Sequence, residues 1–224
     1  MNNWVDYWSQ ETQFVCDDHK RLSYEAIYKD LRRYLKVSDR VLDFGCGEGL
    51  FASKLAKHCS ELYLYDASQL ILDKLAEKID NKNIQIINDY KKVQNINLVL
   101  ISSVSQYIPD KDFFDILHNL RSSLSKHGTI IISDVIPQKN SIFIEILDLI
   151  KISVQNGFLF RAILKMLLSL FGNYSKMRNL FPLTKYNLDS FKDRAEGLGF
   201  LYQVEKINLG LNSNRLTIVL TKIE

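Results

Sequence analysis

Along the chain, short unbroken hydrophobic runs alternate with longer segments in which apolar residues recur every three or four positions. Buried strands alternating with amphipathic helices give this pattern. Residues 40–44, 61–66, 83–87, 96–101 and 129–134 read as strands, the fourth interrupted only by Asn97. Between them, residues 69–79 carry Leu70, Leu72, Leu75 and Ile79 at helical spacing, and residues 112–125 form a further helix. A last helix at 188–198 stops at Gly199, and two strands follow at 202–207 and 216–222, separated by turn residues Gly210 and Asn212 to Asn214. Strand and helix in regular alternation predict an α/β fold of about seven strands. The length of 224 residues fits a single domain spanning 1–224.

Two segments exceed what such a sheet needs. Residues 1–36 precede the first strand. Residues 23–36, with Ile27, Leu31 and Leu35 four apart, predict a helix laid on the sheet. Trp4, Tyr7, Trp8 and Phe14 before it suit a flap half-buried over a site. The second segment, 138–187, is an insertion after the fifth strand, expected as a helical cap. Within it 141–155 is mostly apolar, and 158–171 keeps only Arg161, Lys165 and Ser169 polar, each four residues from the next. That leaves a narrow polar stripe on a helix apolar elsewhere, so most of its surface needs a cover. The run is shorter than about 20 residues and carries two cations, which argues against a membrane span. Three roles stay open for 141–172: the wall of an apolar substrate pocket, a homodimer interface, or a helix lying on a membrane surface with snorkelling cations.

Composition narrows the partners. Hydrophobic residues make up 46% and charged residues 25%, ordinary for a soluble globular protein. A net charge of +3 gives no concentrated electrostatic footprint, so no nucleic acid partner is expected. Cys16, Cys46 and Cys59 form neither a metal-ligand pattern nor a disulfide framework, so no metal is expected and a reducing cytoplasm fits. The opening MNNWVDYWSQ has no basic segment followed by an apolar core and predicts no signal peptide.

The candidate chemistry centres on Gly45-Cys46-Gly47-Glu48-Gly49, directly after the first strand. Glycines there permit a positive-φ turn and close approach of a ligand to the backbone, and apolar positions from Leu50 to Ala56 predict a helix whose N-terminus would present free N–H groups. A dinucleotide fingerprint would place its third glycine where Leu50 stands, but here the glycine comes one residue early, at Gly49. Asp66 ends the second strand with a carboxylate suited to a ribose diol. With VLDFGCGEG, LYLYDAS, IINDY, LVLISSVSQY and GTIIISDV, the chain resembles the class I S-adenosylmethionine-dependent methyltransferases over roughly residues 41–135. The resemblance implies a Rossmann-like fold, a doubly wound sheet closed by a terminal antiparallel hairpin, with S-adenosyl-L-methionine as cofactor. It further implies that Asp43, the backbone of Gly45 and Gly47, and Ser103 hold the methionine end, Asp66 the ribose and Asp89 the adenine with Tyr90 flanking its ring, and that Cys46, Ala67, Ile71 and Asn88 also belong to the cofactor site. Read alone, Asn88-Asp89 is equally a simple turn. Where relatives that methylate base amines carry Asn or Asp, two prolines and an aromatic, this chain has Ser102 to Ser105, which speaks against base methylation.

Methyl transfer needs an acceptor held in line and no metal. The expected acceptor is a small molecule, with oxygen the favoured atom, and Tyr7, Trp8, Gln106 and Arg178 are candidate contacts to it. A hydroxyl acceptor benefits from a general base, for which His19, Tyr107 and Asp134 are the candidates. His58, His118 and His127 are assigned away from the ligand edge. The rival readings are an RNA or protein methyltransferase and a noncatalytic methyltransferase-like subunit.

Overall fold

The computed structural model describes residues 3–10, 14–139, 142–171 and 173–223. In chain order the elements are α1 (Trp4–Trp8), α2 (Asp17–Leu31), β1 (Arg40–Phe44), α3 (Ala52–Leu55), β2 (Glu61–Tyr65), α4 (Gln69–Lys78), β3 (Ile84–Ile87) and β4 (Ile96–Ser102). They continue with α5 (Asp110–Ser123), β5 (Leu124–Val135), α6 (Ile142–Gln155), α7 (Leu159–Phe171), α8 (Asn173–Leu180), α9 (Leu188–Gly197), β6 (Phe200–Val204) and β7 (Leu216–Lys222).

The strands form one seven-stranded sheet in the order β3-β2-β1-β4-β5-β7-β6. All pairings from β3 to β5 are parallel, and β7 runs antiparallel to both β5 and β6. The expected fold is therefore present, and the closing hairpin adds β7 inside the sheet and β6 at its edge. Alternate residues of each strand feed two cores. Leu42, Val99 and Ile130 face α5 and α9 through Phe113, Leu117 and Phe191, whereas Val41, Leu64 and Leu100 pack with Ile27, Leu31, Leu55 and Leu75 on the other face. Both faces being covered explains why the strands read as continuous apolar runs.

Several local expectations change. The helix after the glycine turn is one short turn, α3, because Gly49 N–H donates to the Cys46 carbonyl and Ala52 N–H to that of Gly49. Those turns consume N–H groups that a longer helix would have offered to a ligand. Helix α2 begins at Asp17 rather than residue 23. Strand β5 begins at Leu124, so His127 lies inside it, at a positive φ of 59° beside the register shift between Ile96 and Leu98. Helices α1 and α8 had no counterpart in the periodicity.

The insertion leaves and returns at one point. Pro137 bridges Tyr186, with Gln138 N–H donating to the Tyr186 carbonyl at 2.9 Å and Tyr186 N–H to that of Ile136 at 2.8 Å. Ser141, Gly172 and the side chain of Ser169 lie outside the described residues. No described helix is long and apolar enough to cross a membrane.

Candidate active site

In a parallel sheet whose strand order reverses, ligands bind beyond the carboxyl ends of the strands at the reversal. Here the reversal lies between β1 and β4, and a cavity of about 670 Å³ opens there. Strand β1 contributes Asp43, Gly45 and Cys46 to it, β4 and its loop contribute Ser102, Ser103, Gln106 and Tyr107, and β5 contributes Asp134. The N-terminal segment adds Tyr7, Trp8 and His19. Leu149, Lys165 and Met166 of the insertion, with Tyr174, Leu211 and Arg215, close the outer side.

Asp43 dominates the electrostatics of the floor. The residue is buried, 3% exposed. Burial, and secondarily the charge of Asp66, push its pKa up to about 7. Asp66 sits at the end of β2 and is held by the backbone: Gly47 N–H donates to Oδ2 at 3.1 Å and Ser68 N–H to Oδ1 at 2.9 Å. Burial raises its pKa, while these bonds act in the opposite direction. The glycine turn is shaped by positive φ at Gly45, Gly47 and Gly49, and the Gly45 N–H is tied to the Tyr65 carbonyl at 2.7 Å.

Ser103 and Asp134 occupy adjacent strand ends, and both have positive φ, 58° and 61°. Such conformations in residues with a Cβ cost about 1 kcal/mol or more each and cluster at functional sites. The Ser103 hydroxyl donates to Asp134 Oδ2, and Asn208 Nδ2 donates to Oδ1 at 2.7 Å. Both carboxylate oxygens are thus fixed in direction, with lone pairs remaining. The backbone N–H of Val15 donates to His19 Nδ1 at 3.3 Å, which places the proton of the neutral ring on Nε2. Burial lowers the His19 pKa, favouring that neutral ring. Burial pushes the Tyr107 phenol up, so it stays protonated.

Two buried polar atoms on the cavity residues lack partners among the described residues: the indole N–H of Trp8 and Oε1 of Gln106. Together with Asp43 they provide a donor, an acceptor and a carboxyl group on the same cavity lining. Unpaired buried groups of this kind are costly unless a ligand satisfies them. The set fits a ligand with a cationic amine and a polar end.

Other sequence-derived candidates lie apart. Gly47, Asp66, Ala67, Ile71, Asn88, Asp89 and Tyr90 flank the strand ends but do not line the cavity. Tyr90 packs into the core against Phe44 and Tyr65, and Asp89 Oδ1 accepts from Lys91 N–H at 3.1 Å, capping a turn. Arg178 is also outside the lining, with its guanidinium 5.8 Å from the Tyr174 ring centre. The cations that do line the cavity are Lys165 and Arg215, the latter paired with Glu145 at 2.5 Å and largely buried. The four-residue spacing of Arg161, Lys165 and Ser169 marked a polar stripe without singling out Lys165, and nothing local to Arg215 or Asn208 announces their roles.

The arm is packed rather than waiting. Trp4, Tyr7 and Met177 form a buried cluster with Trp8, Tyr107 and Tyr174, and Trp4 Nε1 donates to the Phe181 carbonyl at 3.1 Å. This ties the start of the chain to the insertion across the cavity.

Residues 7–200 match the family described as "Methyltransferase domain". The chain belongs to that family. Solved structures share the fold: the N-methyltransferase NodS from Bradyrhizobium japonicum, crystallised with S-adenosyl-L-homocysteine, is 16% identical with a TM-score of 0.63, covering 99% of this chain and 100% of its own. Magnesium protoporphyrin IX methyltransferase from Synechocystis, also with S-adenosylhomocysteine, is 15% identical with a TM-score of 0.61, covering 98% and 97%. A Haloferax volcanii putative methyltransferase in complex with the Trm112 activator is 11% identical with a TM-score of 0.63, covering 100% of both chains. No curated protein matches the sequence significantly. The methyltransferase family and the sheet order together make this chain a class I, S-adenosylmethionine-dependent methyltransferase.

Proposed function

We propose that this methyltransferase acts on a small amphipathic acceptor, at oxygen, inside the cytoplasm. The observation that carries the reading is the continuity of the cavity: Asp43, Ser103 and Asp134 at the strand ends share it with Leu149, Met166 and Leu168 of the insertion. Asp43, Gly45, Cys46, Gly47 and Ser103 would hold the methionine end of the cofactor, Asp66, Ala67 and Ile71 its ribose side, and Asn88, Asp89 and Tyr90 its adenine. Bound there, the cofactor supplies an electrophilic methyl group on a sulfonium.

The protein's own contribution is positioning and proton handling. Leu149, Met166 and Leu211 exclude water from the acceptor side, and Tyr7 and Trp8 cover it from the arm. Asp134, aimed by Ser103 and Asn208, takes the hydroxyl proton of the acceptor. Neutral His19 presents its Nε2–H as a donor, and the protonated Tyr107 phenol and the Gln106 amide fix polar groups beside it. Lys165 receives an anionic group of the acceptor, because it lines the cavity and Arg178 does not. Three free thiols suit the cytoplasm.

S-adenosylhomocysteine is expected to bind with micromolar or better affinity. Asp66→Ala should weaken it at least tenfold, about 1.4 kcal/mol, through loss of the ribose contacts. Isothermal calorimetry measures both; preference for NAD over S-adenosylhomocysteine would remove the cofactor assignment, and undiminished binding by the variant would remove the ribose role.

A further inference from the structure

The hairpin of α6 and α7 carries a concentration of exposed apolar side chains. Phe143, Leu147 and Val154 on α6 and Phe160, Leu164 and Leu167 on α7 all face solvent, Phe143 at 75% and Phe160 at 79% relative exposure. Spacings of three, four and seven residues place each trio on one stripe of its helix. The opposite sides are used internally: Phe158, Ala162 and Ser153 are buried, and Leu149 and Met166 line the cavity. Six large apolar side chains exposed on two helices that pack together are unusual unless something covers them.

The charges on the hairpin say what that cover is. Both described acids turn back onto the fold: Glu145 pairs with Arg215, and Asp148 accepts from the Ser213 N–H and hydroxyl at 2.9 and 2.6 Å. Of the hairpin's three cations, Lys165 lines the cavity, and Lys151 and Arg161 are exposed. Lys151 sits in the stripe of Phe143, Leu147 and Val154, and Arg161, next to Phe160, makes an exposed 3.8 Å contact with Asp18. An apolar stripe edged by cations, with its acids withdrawn, matches an anionic lipid interface. A second copy of the same face fits less well, since a two-fold contact would bring this one-signed set of cations against itself. No described helix can span a membrane, so contact would be with the surface.

We propose that the α6–α7 face docks on an anionic lipid surface, with its apolar stripes in the headgroup–acyl boundary and Lys151 and Arg161 at the phosphates. Leu168 both lines the cavity and is exposed at this face, so the cavity mouth then opens beside the lipid. Resting on the small-amphiphile reading above, this gives an acceptor with an alkyl portion direct access from the bilayer.

Sedimentation with large unilamellar vesicles tests the docking, and S-adenosylhomocysteine calorimetry on the same samples tests the cofactor site separately. The full chain should sediment with phosphatidylcholine vesicles containing about one-fifth phosphatidylglycerol, and much less with phosphatidylcholine alone or at high salt. Phe160→Asp combined with Leu167→Glu should lower vesicle affinity at least tenfold with S-adenosylhomocysteine binding unchanged, which also shows the variant is folded. Lys151→Glu with Arg161→Glu should lower it about tenfold or more on anionic vesicles only. Failure of the wild-type chain to bind anionic vesicles, equal binding to neutral ones, or binding that survives both double variants would overturn the proposal. A concentration-dependent dimer abolished by the Phe160 and Leu167 changes would overturn it too and give the face to a second copy.

Discussion

S-adenosylhomocysteine binding is expected to weaken as the pH is lowered through about 7, by up to tenfold per pH unit, and Asp43→Asn should abolish both the pH dependence and at least a hundredfold of the affinity. The cause is the Asp43 carboxyl, whose pKa is raised to about 7 mainly by burial and further by Asp66. A ligand ammonium held near this group needs it ionised, so below pH 7 binding must first expel a proton, at 1.36 kcal/mol per unit. Above 7 the profile should be flat until the ligand amine itself titrates.

Stability of the free protein carries the opposite sign. Between the unfolded value of 3.8 and about 7 the native state holds a proton that the unfolded chain has lost, so native stability falls as pH rises through that window. The fall totals a few kcal/mol, the order of three pH units at 1.36 kcal/mol each. Asp43→Asn should remove this decline, so the variant gains stability relative to wild type between pH 5 and pH 8 while losing the ligand. Calorimetry and urea unfolding at the two pH values read both effects. A wild-type binding profile flat from pH 5 to 8 would remove Asp43 from the amine contact.

Gly45→Ala is expected to destabilise the fold by about 2–4 kcal/mol and to weaken S-adenosylhomocysteine at least tenfold. A Cβ at Gly45 would lie 2.5 Å from Val104 Cγ2, and the backbone there has a φ of +76°. The conformation alone costs an L-residue roughly 1–2 kcal/mol, and the overlap forces Val104 to move. Val104 follows Ser103, itself at a positive φ of 58°, so the movement reaches the residue that aims Asp134. Adding Val104→Ala should recover the overlap part and leave the conformational part, which a double-mutant cycle in urea measures. Equal stability of the two Gly45→Ala proteins would show that the side-chain overlap does not contribute.

The chain by itself determined the elements and their layering. Apolar runs such as 96–101 and helical spacings such as Leu72 and Leu75 are local signals, and their alternation dictates a parallel sheet covered on both faces. The glycine turn after β1 and Asp66 after β2 were legible for the same reason: a strand end followed by glycine, or by an acid, means something wherever the rest of the chain goes. Helix length was less legible, because α3 stops after one turn when the glycine loop's own hydrogen bonds consume its first N–H groups.

What the tertiary structure decided are the contacts between residues far apart in sequence. Asn208 reaches Asp134 across 74 positions and Arg215 reaches Glu145 across 70, and no periodicity reports a pair drawn together only by sheet order. The same holds for the arm, whose Trp4 found its core against Tyr107, Tyr174 and Met177. Arg178 was the cation read from the sequence as an acceptor contact, and only the packing of α7 brings Lys165 to the cavity instead. A helix apolar on nearly every side has no pattern that names its covered face. Packing chose Phe158 and Ala162 for the interior and left Phe160, Leu164 and Leu167 outside, because a helix against a fold buries only the sector that touches it.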